Sequence, residues 1–291
     1  MSRRIRIPIA AAIYFTLSLT LGSCEKDARI YLPKGETKMV VNAGITADSL
    51  LKIFIGKTTP LFNNTSTKYI DNATPFLYVD GEIVTLNNVG KGYYVATEKA
   101  QMGSFYDVEL FEEGFPTVSA STYVPNYPTL GNISARKATL EGSAVIQVTA
   151  EIIDTADTED YYILEVREKG SYSSYSNIDI ITKDFDCENR LLDGEYVPQL
   201  LFQDRNFNGN TKSIIFSFID NGYSNGANNV TLEVVLKRCT KELWEYKRTY
   251  YLYLQTVDIP VVQPVQVFTN VTNGVGIFGG YTSVTKSISI K

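Results

Sequence analysis

Apolar and polar residues alternate with a period of two along most of this chain, and the apolar positions favour valine, isoleucine and aromatics. That pattern marks half-buried β-strands, because successive side chains of a strand point to opposite faces. It predicts strands over residues 38–46 (KMVVNAGIT) and 50–58 (LLKIFIGKT), then 76–79, 82–86, 92–97, 106–112 and 117–124. Asp80-Gly81 and Glu113-Gly114 fall between consecutive strands and suit tight hairpin turns. Seven short strands joined in this way describe a β-sandwich. The polar stretch 60–74 reads as a long loop. Pro125 and Pro128 then interrupt the alternation, since proline cannot donate to a strand ladder, and a domain boundary is expected there. Beyond it, strands are predicted at 144–153, 161–168, 178–182, 213–219 and 230–236. Residues 241–255 (KELWEYKRTYYLYLQ) set Leu243, Tyr246, Tyr250 and Leu254 at helical spacing, although so many aromatics also suit a strand. The tail, 265–290, returns to strands around a glycine-rich turn. The expected fold is mainly β: two β-sandwich-like domains of immunoglobulin or transthyretin kind, 24–125 and 129–291, with one short helix in the second.

The first 23 residues follow a different rule. Arg3, Arg4 and Arg6 precede an uncharged apolar run, 7–21, of about 15 residues, short of the roughly 20 that span a bilayer. Leu21-Gly22-Ser23-Cys24 closes it as a lipobox, where an ordinary secretory leader favours an Ala-x-Ala-like site. The expected signal peptide is 1–23, cut between Ser23 and Cys24, with Cys24 as the lipid-attachment residue. Each buried CH₂ of an acyl chain contributes about 0.8 kcal/mol, so two or three chains anchor a protein stably. This places the mature chain on a membrane outside the cytoplasm. The mixed charges of Glu25, Lys26 and Asp27 add only weak support for surface display.

Composition narrows the chemistry. The net charge of the 291-residue chain is −5, and loss of the three leader arginines leaves −8, a poor match to nucleic acid. There is no histidine, which excludes Ser-His-Asp and Cys-His catalysis in their common forms and the usual zinc and iron sites. Export permits a disulfide between Cys187 and Cys239. It would close a loop of about 50 residues and stabilise by roughly 3–4 kcal/mol; two buried thiols are the other reading.

Two motifs suggest ligands. Gly274-Val275-Gly276-Ile277-Phe278-Gly279 matches G-x-G-x-x-G, but the 12 residues after it leave no room for a dinucleotide-binding unit, so a tight, packed β-turn is expected. Asp204-Arg205-Asn206-Phe207-Asn208-Gly209 matches the start of a calcium loop, with Asp204, Asn206 and Asn208 as candidate oxygen ligands. Ile215 stands where such a loop carries its bidentate glutamate, and Asn208-Gly209 is also a hairpin signal. The acidic runs Glu112-Glu113 and Asp157, Glu159, Asp160 read as solvated loops. The segment KGSYSSYSN, with Tyr172 and Tyr175, reads as an exposed loop of a kind that can contact sugars or proteins.

Three stretches carry a family resemblance. The opening Cys24-Glu25-Lys26, Leu32-Pro33 and Met39-Val40-Val41-Asn42-Ala43-Gly44-Ile45-Thr46 is one; Leu201-Phe202-Gln203 leading into the Asp204–Gly209 segment is the second. Pro264-Val265-Gln266-Val267-Phe268-Thr269-Asn270-Val271 followed by Gly274 to Gly280 is the third. In these the chain resembles the Bacteroidota lipoprotein family catalogued as domain of unknown function 4249, over almost all of its mature length. The resemblance implies an outer-membrane location, surface-exposed or periplasm-facing, and association with a TonB-dependent transporter. It supplies no catalytic residue. The expected function is a non-enzymatic binding or accessory component held to the membrane by its N-terminal lipid, without nucleic acid. One alternative is a carboxylate-dependent glycan hydrolase, which needs two opposed acids such as Asp204 and a partner in a cleft. Another is a structural or adhesive envelope protein.

Overall fold

The computed structural model describes residues 36–59, 68–156, 158–169, 175–188, 196–225, 231–257, 259 and 262–290. Ser23, Cys24 and the rest of the leader lie outside these residues, as do Asp157 and Tyr172.

The chain is mainly β. Its first half holds β1 (Met39–Thr46), β2 (Leu50–Lys57), β3 (Lys68–Tyr69), β4 (Thr74–Val79), β5 (Glu82–Val84), β6 (Leu86–Gly90), β7 (Tyr93–Lys99), β8 (Phe105–Phe111) and β9 (Val118–Tyr123). Next come β10 (Thr129–Leu140), β11 (Ser143–Ile153), β12 (Tyr161–Lys169), β13 (Tyr175–Ile178), β14 (Ile181–Thr182) and β15 (Leu200–Gln203). Last are β16 (Thr211–Ile219), β17 (Thr231–Cys239), the helix α1 (Lys241–Thr256) and β18 (Val275–Ser287).

These strands form three sheets. A ten-stranded sheet runs in the order β13-β12-β17-β18-β1-β2-β7-β6, with β15 beside β12 and β3 beside β2. Two four-stranded sheets, β5-β4-β8-β9 and β10-β11-β16-β14, complete the set. Pro125 and Pro128 lie between the last strand of one small sheet and the first of the other. The large sheet crosses that point, because β18 pairs in parallel with β1, from Val40 opposite Val275 to Thr46 opposite Tyr281.

Register shows how the layers stack, since residues directly opposite each other in a ladder share a face. Met39, Val41, Ala43 and Ile45 of β1, with Phe278 of β18, enter a first core shared with Leu77, Tyr106, Val108 and Val118. Tyr162, Leu164 and Val166 of β12 and Leu232, Val234 and Leu236 of β17 enter a second, shared with Ile146, Val148, Phe216 and Phe218. Following the ladders from Ala43 through Phe278 and Arg238 to Tyr162 puts both cores on one face of the large sheet. The opposite face carries a third, smaller cluster of Tyr161, Ile163, Leu201, Cys239 and Ile277 under Leu243 and Trp244 of α1.

The helix, not the strand, forms at 241–256. Thr240 caps it by accepting from the Leu243 amide at 3.4 Å, and Trp244 packs on Tyr161 with ring centroids 5.6 Å apart. Its dock is the glycine-rich segment. The tight turn expected there is confined to Asn273 and Gly274; the other glycines lie in β18. A Cβ on Gly279 would come within 2.7 Å of Leu243 Cβ, so the missing side chain lets the helix lie directly on the strand.

Other differences follow from context. The stretch 178–182 divides between β13 and β14, which belong to different sheets. β10 escapes the alternation pattern because its sequence, TLGNISARKATL, leaves most side chains exposed or half-buried. Within 60–74, Lys68–Tyr69 pairs with the edge of β2, and 60–67 lies outside the described residues.

Cys187 and Cys239 do not form a disulfide. Cys187 bridges to Phe202 and belongs to the second core, whereas Cys239 lies opposite Tyr161 in the third cluster. The large sheet therefore stands between the two sulfurs. Burial pushes the Cys239 thiol well above its usual range, so it does not supply a reactive thiolate. In the native protein both are expected to resist iodoacetamide, and both to be alkylated in denaturant without reductant, as peptide mass spectrometry can read. Alkylation that required reductant would show a bridge.

Candidate functional site

The outer face of the large sheet beside α1 forms an open cleft of about 520 Å³. Alternation builds it. Lys52 and Phe54 of β2 and Tyr93 of β7 are the outward partners of Ile53, Ile55 and Tyr94, which are buried in the first core. Asn42 and Gly44 of β1, Tyr281 of β18 and Lys237 of β17 continue the same face. Tyr246 and Lys247 of α1 form the wall, and Gln199 also lines the space.

Three lysines point into this space with different company. Lys52 Nζ lies 3.8 Å from the centre of the Tyr93 ring, which in turn sits 5.3 Å from Phe54. Lys237 Nζ donates to Glu165 Oε1 at 2.6 Å and lies 5.5 Å from the Tyr281 ring centre. Lys247 is half-buried, and among the described residues no carboxylate lies within ion-pairing distance of its ammonium. Desolvation lowers its pKa and the Lys237 charge lowers it further, against an opposing pull from the Glu165 carboxylate. Such a cleft can hold a negative group between ammonium ions and a flat ring against tyrosine faces.

A second constellation lies on the inner face. Asp154, Asp160 and Asp204 are all buried, with carboxylate oxygens within 4.8 Å of one another. Asp154 follows β11, Asp160 precedes β12 and Asp204 follows β15, so the three meet where these strands end. Tyr162 Oη donates to Asp154 Oδ1 at 2.5 Å, and the Gly209 amide donates to Asp154 Oδ2 at 2.8 Å. Arg238 forms an ion pair with Asp160, whose other oxygen accepts from Thr158 Oγ1 at 3.1 Å. Asp204 Oδ2 is buried and has no hydrogen-bond partner among the described residues. Desolvation raises the pKa values of both Asp160 and Asp204; Arg238 opposes the shift at Asp160, while the neighbouring aspartates add to it at Asp204.

The structure does not bring together Asp204, Asn206 and Asn208. Residues 204–206 form a turn of 3-10 helix, so alternate side chains diverge where a calcium loop needs them to converge. Asp204 turns inward, while Asn206 Nδ2 donates to Asp186 Oδ1 at 2.6 Å and Asn208 Nδ2 to the Thr158 carbonyl at 2.7 Å. Asp160, placed by its sequence run in a solvated loop, is instead one of the buried acids; Glu113 is exposed at its turn and Glu112 half-buried. A second depression, of about 330 Å³, lies against β14 and β16, with Ile181, Ile215 and Phe216 in its lining. It brings together fewer charged groups than the lysine cleft.

A family model described as Domain of unknown function (DUF4249) matches residues 25–287. Among curated proteins none matches. Among solved structures, a DUF4785 family protein from Legionella pneumophila subsp. pneumophila str. Philadelphia 1 is similar at 14% identity, with 70% of this chain and 52% of that chain covered and a TM-score of 0.24. The chain thus spans about half the length of that protein, and so low a score carries no functional argument.

Proposed function

The chain belongs to the family defined by Domain of unknown function (DUF4249), and from there we propose that it is a lipid-anchored, non-enzymatic binding component of the outer membrane, tethered through Cys24 and holding an anionic ligand in the cleft beside α1. Lys247 is the observation that carries this reading. A half-buried ammonium that faces Lys237 and, among the described residues, makes no ion pair of its own, the nearby Glu165 being already paired with Lys237, is costly, and an incoming anion reduces that cost. The tyrosines supply flat, amphipathic faces, so an acidic sugar fits both parts of the cleft.

Isothermal titration with oligogalacturonate and a neutral oligosaccharide of equal length tests this. Binding is expected for the acidic ligand, and Lys247→Met should weaken it at least tenfold, about 1.4 kcal/mol. Equal binding of both oligosaccharides, or no effect of the substitution, would count against the cleft. Binding should also weaken as pH rises through the lowered Lys247 pKa. The protonated form holds the anion, so affinity is full below that value and declines before the ordinary lysine range is reached.

A partner protein is supported by a separate feature. One side of α1 is docked along its length, with Tyr251 against the second core and Thr249 and Thr256 accepting from the Phe268 and Val265 amides, while Tyr250, Leu254 and Val257, with Ile259 and Val262 beyond, are exposed. This apolar strip suits packing on an outer-membrane transporter. Crosslinking followed by gentle detergent extraction should recover the pair, and recovery of this protein alone would remove the partner. The glycan-hydrolase alternative is disfavoured because Asp204 is 1% exposed, out of reach of a glycosidic bond. A purely adhesive role leaves the convergence of lysines in the cleft without a purpose.

A further inference from the structure

We propose that Asp154, Asp160 and Asp204 form a binding site for a hard divalent cation, calcium by preference, beneath the inner face of the large sheet. Oxygens held 2.3–2.6 Å from one calcium ion are at most about 5 Å apart. The three carboxylates meet that condition, their oxygens lying within 4.8 Å of one another. When all are ionised, Arg238 leaves two negative charges uncompensated, which one divalent cation cancels.

An independent observation points the same way. Asp204 is 1% exposed, and its Oδ2 receives no hydrogen bond from any described residue. Buried carboxylate oxygens are ordinarily satisfied, and an orphan inside a cluster of acids marks the place of a missing positive partner. The surrounding donors orient the other two acids without exhausting them. Asp154 accepts from Tyr162 and Gly209, and Asp160 from Thr158 and Arg238, so each oxygen keeps a second lone pair for a metal. The ligand set is all carboxylate oxygen, which suits a hard cation, and calcium binds such carboxylates readily where magnesium is reluctant to give up its waters.

The test uses the full chain, stripped with EDTA and titrated with calcium chloride while thermal unfolding is followed. At a hundredfold excess over Kd, the midpoint should rise by about 5 °C or more. Asp204→Asn should abolish that rise, yet unfold no lower than the metal-free wild type, because it removes an unpartnered charge. Asp154→Asn serves as a second variant with the same expected loss of response. No calcium-dependent rise in the wild type, or a rise retained in either folded variant, would overturn the site; the latter would place the ion on surface acids.

Discussion

Replacing Arg238 with methionine is expected to destabilise the fold by about 3–5 kcal/mol, as read from urea-unfolding midpoints at constant slope. The guanidinium is paired with Asp160, and both side chains are nearly inaccessible, at 11% and 5% exposure. Methionine keeps the packing volume but leaves Asp160 buried without its counter-charge, beside two further carboxylates, so that it must either stay ionised at high cost or take up a proton. The loss therefore belongs to the abandoned charge more than to the lost contact. The double substitution Arg238→Met with Asp160→Asn should recover most of the stability, because it removes both ions together. A double variant as unstable as the single one would place the loss in packing around Arg238.

Gly280→Ala is the second large effect, expected at about 3 kcal/mol or more. A Cβ at this position would stand 1.8 Å from the Tyr123 carbonyl oxygen and 3.2 Å from Val124 Cα. Both obstacles are backbone, so no rotamer change relieves them. The collision lies where β18 passes the end of β9, and it would push the first core away from the central strand that joins the two halves of the large sheet. Gly44→Ala is the contrast. Its Cβ would meet only Tyr281 Cε1, at 3.5 Å, so the change should be neutral or stabilise by about 0.5 kcal/mol. Similar stabilities for the two variants would contradict the packing described for β18.

The local elements were largely legible. β1, β2, β7, β8 and β9 follow their alternation closely, because each has one face in a core and one outside. Asp80 and Gly81 both take positive φ, at 51° and 87°, as the expected turn requires. The capped helix appears where its spacing placed it. The assembly was not legible in this way. Nothing in the alternation shows that β18 returns more than 200 residues later to lie parallel with β1, and this one pairing joins the two halves into a shared sheet. Strand pairing is decided by which faces find each other, a property of the whole chain.

The sites were hidden for related reasons. Lys52 and Lys237 occupy outward positions on their strands, where lysine ordinarily means a solvated face. Only the placement of α1 over that face turns them, with Lys247, into a cleft. Asp204 was singled out through its loop motif, but its companions proved to be Asp154 and Asp160, brought in by strand ends 50 and 44 positions earlier. The pattern D-x-N-x-N-G carries geometry only when its backbone follows a calcium loop, and a turn of 3-10 helix took its place.

A crystal structure of the protein soaked with oligogalacturonate tests the central claim most directly, namely that the outer face beside α1 receives an acidic ligand. The account predicts a carboxylate within hydrogen-bonding distance of Lys247 and a sugar ring against Tyr93 or Tyr246. Ligand density at another surface, with the cleft filled only by water, would contradict it.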